Sequence, residues 1–217
     1  MRRLHTFCRY GIFFVGAALL SACSGTPTYN PTVFPASIDQ ARLDAHPMKT
    51  VVIAHVNLGS QSRNYLEKEA PRIDAQVTEY LRENGFTVLP QREFEQHWNT
   101  AVRAFGNPVD PTSGKVNTKT FAQIMHRVRD ELAESSNIDG FIFTDLVEVQ
   151  ESFSGGMKHL ARWDGVTRAP TMQGPGDGVS ASFDWSMMAA MVSLKVTIYD
   201  AELKPVFHGR GGIDATD

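Results

Sequence analysis

A chain of 217 residues with a formal charge of −3, 42% hydrophobic and 21% charged residues, has the length of one domain or two at most and an ordinary folded composition. That balance excludes a disordered chain, a coiled coil and a multi-pass membrane protein. Lys and Arg never run beyond a pair, so there is no electrostatic footprint for nucleic acid, and two cysteines are too few for a disulfide scaffold.

The first residues read as an address. Arg2, Arg3 and Arg9 make a basic start without an acidic residue, and Gly11 to Leu20 is an apolar stretch. It is shorter than the roughly 20 residues of a spanning helix, so residues 1–22 are expected to be a signal peptide. Leu20-Ser21-Ala22-Cys23 resembles the lipobox of bacterial lipoproteins. The resemblance implies cleavage before Cys23, two acyl chains on its sulfur and usually a third. Ser24, where Asp is absent, implies an outer-membrane lipoprotein facing the periplasm. Two chains anchor stably where one is marginal, at roughly 0.8 kcal/mol per buried CH₂. The membrane is thus an expected partner through the N-terminal acyl chains. Cys8 leaves with the signal, so the mature chain holds no disulfide, and 18 basic residues face 24 acidic ones.

Residues 23–48 carry Pro27, Pro31, Pro35 and Pro47 among small and polar residues. Such density favours extended chain, so this segment is expected to be a tether, with Tyr29, Val33 and Phe34 as stray apolar positions. Residues 49–217 are then a single domain.

Within it, Thr50 to Val56 is a β-branched run, expected to be a strand buried on both faces. Ile73, Val77, Tyr80 and Leu81 mark a helical stripe, with Pro71 suited to its first turn and Gly85 to its end. Phe86 to Leu89 is a short strand. Phe94, Trp98, Ala101, Val102 and Phe105 give a second helix, and residues 107–114 a loop. A third helix starts near Thr118, with Phe121, Ile124, Met125, Val128 and Leu132 on one side. Ile138 to Val149 is a largely buried strand. Gly155 to Val166 holds another, with Ala161 and Trp163 on one side. Residues 169–182 form a Gly/Pro-rich loop. Ser193 to Tyr199 alternates, with Leu194, Val196 and Ile198 on one face, and turns through 200–204 into a returning strand.

The order β-α-β-α-α-β followed by a β-hairpin predicts an α/β (α+β) domain, a mixed sheet with helices packed on it. With a lipobox in front, it resembles a group of envelope proteins: the penicillin-binding-protein activator lipoproteins, the curli-secretion lipoproteins and the N-terminal domain of TolB. The matching segments are Val51–Val56, Glu83-Asn84-Gly85-Phe86-Thr87-Val88 and Ile138-Asp139-Gly140-Phe141-Ile142. The resemblance implies the fold and a habit of mediating protein contacts, and implies no catalytic residues. Residues 150–190 depart from it as an insertion. Paired alternating strands of about 10 residues are missing there, which disfavours a membrane barrel. The related domains often end in a covering helix, and here the sequence stops at Asp217 instead.

Chemistry-bearing constellations are sparse. His46, His55, His97, His126, His159 and His208 are dispersed without metal-ligand spacing, so no metal and no cofactor are expected. Asp139, Asp145, Glu148 and Glu151 lie near strand ends, but alternation puts Asp145 and Glu148 on opposite faces, which weakens a carboxylate pair. Gly174 to Gly178 and Gly209 to Gly212 match no phosphate loop. The glycines of the second are expected to end a strand, with Arg210 free to meet an acidic group.

Trp163, Trp185, Phe183 and Met187, Met188 and Met191 cluster in or beside the insertion. Aromatics, Met and Arg are enriched in interface cores, although most large apolar residues serve packing. Arg162, Trp163, Asp164 and Trp185 are therefore the candidate partner-binding residues. The expectation is a lipid-anchored adaptor that binds an envelope protein, not an enzyme, with the oligomeric state left open. The alternatives are an envelope hydrolase using Asp145 and Glu151, or a small-ligand or lipid carrier, which would need an apolar cavity.

Overall fold

The computed structural model describes residues 28–30, 33–54, 66, 68–154, 159–169 and 184–213. Cys23, the Gly/Pro-rich stretch 170–183 and the end of the predicted first strand, residues 55–56, lie outside these. In chain order the elements are β1 (Thr28–Tyr29), β2 (Ala36–Ile38), α1 (Gln40–Ala45), β3 (Thr50–Ala54), α2 (Ala70–Glu83), β4 (Thr87–Leu89), α3 (Gln91–Phe105), α4 (Thr118–Ser135), β5 (Gly140–Ser152), β6 (Ala161–Trp163), β7 (Val166–Arg168), β8 (Met188–Asp200) and β9 (Pro205–Ile213).

The main sheet has six strands in the order β2-β9-β8-β5-β3-β4. β3 runs parallel to β4 and β5, and the β5-β8-β9-β2 side is antiparallel. The predicted mixed α/β sheet with helices on it is therefore the fold. β3 reads as an unbroken apolar run because helices cover both of its faces. On one face, Val52, Ala54, Phe141 and Phe143 meet Phe94 and Ala101 of α3 and Ile124, Val128 and Leu132 of α4. On the other, Val51, Ile53 and Ile142 meet Val77 and Leu81 of α2. Each of these Val, Ile, Leu and Phe side chains taken from water contributes about 1.5–3 kcal/mol.

Local chemistry sets the boundaries. Pro71 occupies the first turn of α2, and Gly85 leaves it at φ +86°. The Asn117 side chain accepts from Thr120 N–H at 3.1 Å and caps α4. The Asp139-Gly140 pair has a structural reason. Asp139 Oδ2 accepts the N–H groups of Lys49 (2.9 Å) and Thr50 (2.7 Å), which sets β3 beside β5. A Cβ on Gly140 would lie 2.5 Å from Met48 Sδ. Asp139 thus acts as a strand clamp. α3 and α4 are joined by Glu131, whose carboxylate lies 2.7 Å from His97 Nδ1 and 2.5 Å from Arg127 Nε. The hydrogen bond from His97, followed by Arg127, holds the Glu131 carboxyl below its ordinary range.

The N-terminal segment differs from a free tether. Between Pro35 and Pro47 there is room for α1, whose first turn is capped by Asp39 accepting Arg42 N–H at 3.0 Å. β2 extends the main sheet by pairing with β9, and β1 pairs with β7. Arg42 pairs with Asp200 and lies 3.0 Å from Glu202. Asp200, nearly inaccessible, also accepts the N–H groups of Glu202 (3.0 Å) and Lys204 (2.8 Å) and so shapes the β8–β9 turn. The Phe34 ring lies over Gly165 and Gly211. Tyr29 and Val33 are exposed. Proline density did not reveal this docking, because strands of two and three residues carry no periodicity.

A second sheet, β1-β7-β6, is small. Ala161, Trp163 and Val166 from it pack on Val149, Met191 and Ala189, at the far half of the long β5–β8 pair. It lies on the same face of the main sheet as α3 and α4, because Val149 and Phe143 are an even number of residues apart along β5.

Candidate functional site

The four candidate binding residues take different places. Trp163 is 4% exposed, and its indole N–H donates to the Val192 carbonyl at 2.9 Å. As the structure stands it is a core residue that fastens the small sheet to β8. Arg162, its neighbour on β6, is exposed on the opposite side. Asp164, in the tight turn after β6 at φ +37°, faces the main sheet. Its Oδ2 accepts from Ser193 Oγ at 2.6 Å and lies 2.7 Å from Arg210 Nε. Trp185 stacks on His159, with ring centroids 4.0 Å apart and planes 11° apart. Arg162, Trp163 and Asp164 are consecutive, but Trp185 belongs to another end of the small sheet.

Between the helical layer and the small sheet, the described residues leave a groove on one face of β5, β8 and β9. The register lays its floor in rows. Val147 faces Ser193, which faces Gly212; Asp145 faces Lys195, which faces Arg210; and Phe143 faces Thr197, which faces His208. A groove of about 570 Å³ lies there, lined by Pro35, Ala36, Val147, Glu148, Lys195, His208 and Arg210. Three groups able to carry positive charge, Lys195, His208 and Arg210, thus line one concave surface. Ser193 holds Asp164, and Asp164 holds Arg210, so the guanidinium is fixed before any ligand arrives. His208 Nδ1 lies 3.4 Å from Thr197 Oγ1. Fixed donors of this kind suit a carboxylate or another anion.

The sequence reading missed this groove, although the signal was present. The polar side of β8 (Ser193, Lys195, Thr197) was legible by alternation, and the matching side of β9 (His208, Arg210, Gly212) follows from pairing the hairpin. The glycines of 209–212 lie inside β9 and do not end it. A Cβ on Gly212 would lie 2.6 Å from Val166 Cγ2 and 2.7 Å from Trp163 Nε1. Glycine there lets the small sheet close on the main one.

The carboxylates near strand ends are spread out. Asp145 and Glu151 share a face of β5, but six residues separate them, roughly 20 Å at strand rise. Glycosidase carboxyls stand about 5–9.5 Å apart. Asp145 and Glu148 lie on opposite faces. Among the described residues no group of three or more His, Cys, Asp or Glu is placed to hold a metal. A second depression, of about 550 Å³, lies in the loop 107–117. There Asp110 accepts the N–H groups of Thr112 (3.0 Å) and Ser113 (2.7 Å), the latter bond foremost in lowering its carboxyl's pKa. These bonds close the loop on itself.

No protein family, curated protein or solved structure matches the chain.

Proposed function

We propose that this chain is a lipid-anchored periplasmic binding lipoprotein, an adaptor acting through protein–protein contacts in envelope assembly, secretion or peptidoglycan synthesis. The observation that supports it best is the basic groove on one face of β5, β8 and β9. Lys195, His208 and Arg210 line it in a chain whose mature charge is net negative. Glu148 lines it too, Asp164 holds Arg210 and Asp145 lies opposite Lys195, so the groove sets charges of both signs at fixed places, which orients a polar segment of complementary charge. Val147 offers apolar contact beside the cations. The lipobox at Leu20–Cys23 supplies the anchor, with the outer membrane as its site.

The test is a crosslinked pull-down from membranes with the acylated protein, comparing wild type with K195E and K195E/H208E. His208 is exposed and Lys195 is half-buried opposite Asp145, so melting temperatures are measured first and capture is compared between folded proteins. Capture of the partner should fall at least tenfold in the charge-reversed proteins, which corresponds to about 1.4 kcal/mol, and should weaken with added salt. Equal capture by wild type and both variants would remove the groove from the binding surface.

A further inference from the structure

The first described residues and a pair of exposed methionines lie at one pole of the described structure. β1 pairs antiparallel with β7, Thr28 opposite Thr167 and Tyr29 opposite Val166, so Thr28 is the end of β1 nearer Arg168. Arg168 is paired with Ala161 at the start of β6. His159, two residues before Ala161, carries the stacked Trp185. Met187 and Met188 follow Trp185 at the tip of the β5–β8 pair and are 60% and 59% exposed. Arg162 is exposed on the outer side of the same small sheet.

The leash is short. Four residues lie between Cys23 and Thr28, and the five steps of chain reach about 18 Å at most. A body of this size has a radius of gyration of about 16 Å and is roughly 40 Å across. β8 alone, at 13 residues, spans roughly 40 Å from Met188 to Asp200. With Cys23 held at the headgroups, the Thr28 end of the small sheet stays within about 18 Å of the bilayer, which favours contact through this pole over the Asp200 end.

We infer that the pole formed by Trp185, Met187 and Met188 is a membrane-facing surface that seats in the headgroup layer of the bilayer holding Cys23. The inference rests on the anchoring reading and adds an orientation to it. Tryptophan favours the membrane interface, and methionine adapts to irregular apolar surroundings. Arg162 adds a cation towards anionic headgroups. Asp184 and Glu151 are the acidic neighbours among the described residues: the Asp184 carboxylate is engaged by the N–H (2.9 Å) and hydroxyl (2.5 Å) of Ser186, and Glu151 lies opposite Ala189. The basic groove lies on the side of the small sheet away from this tip, among residues 193–210, and so opens to the periplasm.

The experiment places the acylated mature protein on vesicles of phosphatidylethanolamine and phosphatidylglycerol carrying brominated acyl chains, and reads tryptophan emission. Intact mass first reports whether Cys23 carries acyl chains. Trp163 is buried and Trp98 is packed under α4. Quenching should therefore remove about a third of the emission, the share of one tryptophan in three. W185F should abolish that loss, and M187E/M188E should cut it several-fold without altering the fold. An acylated, vesicle-bound protein whose Trp185 escapes quenching overturns the inference and leaves the anchor standing. The same result with a dimer in sedimentation assigns the pole to a second copy instead. A mass without acyl chains overturns the anchoring reading itself, and the orientation with it.

Discussion

Replacing Trp163 separates a core role from a contact role. The side chain is 4% exposed and packs among Ala161, Val166, Met191, Val149 and Phe153. Its indole N–H satisfies the Val192 carbonyl at 2.9 Å. W163A removes that burial and leaves a cavity, which costs about 3–5 kcal/mol. For a domain of this size, 1 kcal/mol moves Tm by about 2–4 °C, so the midpoint should fall by roughly 6–20 °C. W163F keeps most of the apolar contact but loses the indole hydrogen bond, and should cost about 0.5–1.5 kcal/mol. Urea denaturation followed by circular dichroism gives the size of the loss. Amide exchange gives its place: protection should drop first in β6, β7 and β1, whose attachment depends on this residue. The reasoning is refuted by a W163A protein within about 1 kcal/mol of wild type, since no residue this buried should be so cheap to remove.

Two further perturbations test other joints. G212A should destabilise by about 1–3 kcal/mol through overpacking, because its methyl would lie 2.6 Å from Val166 and 2.7 Å from Trp163; combining it with W163A should cost less than the sum, as read from a double-mutant cycle. Glu131 supplies a pH signature. Its carboxyl is held below the usual range, first by the hydrogen bond from His97, so its stabilisation is full above the unfolded pKa and is lost as pH falls through the lower folded one. The urea midpoint of E131Q should therefore vary less between neutral and acidic pH than that of wild type, and equal slopes would contradict this role.

The central domain was legible because its signals are strong and local. β3 and β5 are apolar runs, and the stripes of α2, α3 and α4 repeat at helical spacing, with Pro71 and Gly85 marking the ends of α2. Ala161 and Trp163 were placed on one side of a strand, as observed. What escaped was long-range. β1 and β2 are two and three exposed residues long, and they exist as strands only because β7 and β9 are there to pair with. The groove escaped for the same reason, since it arises only when the polar sides of β8 and β9 are laid in register and Asp164 is brought over from another sheet. Trp163 showed the opposite failure: its composition suits an interface, and only the hairpin's packing on Met191 reveals it as core.

The docked N-terminal segment has a bearing on the order of folding. Its partners are Gly165, Val166 and Thr167, Asp200 and Glu202, and Phe207 to Gly211, all from the last quarter of the chain. The first described residues to emerge during synthesis are thus satisfied by the last. Such contacts close nearly the whole chain into a loop, so they form late and slow the overall reaction. β1 waits for β7, and β2 and α1 wait for β9 and the β8–β9 turn. Closure of this segment therefore reports that β7, β8 and β9 are already in place.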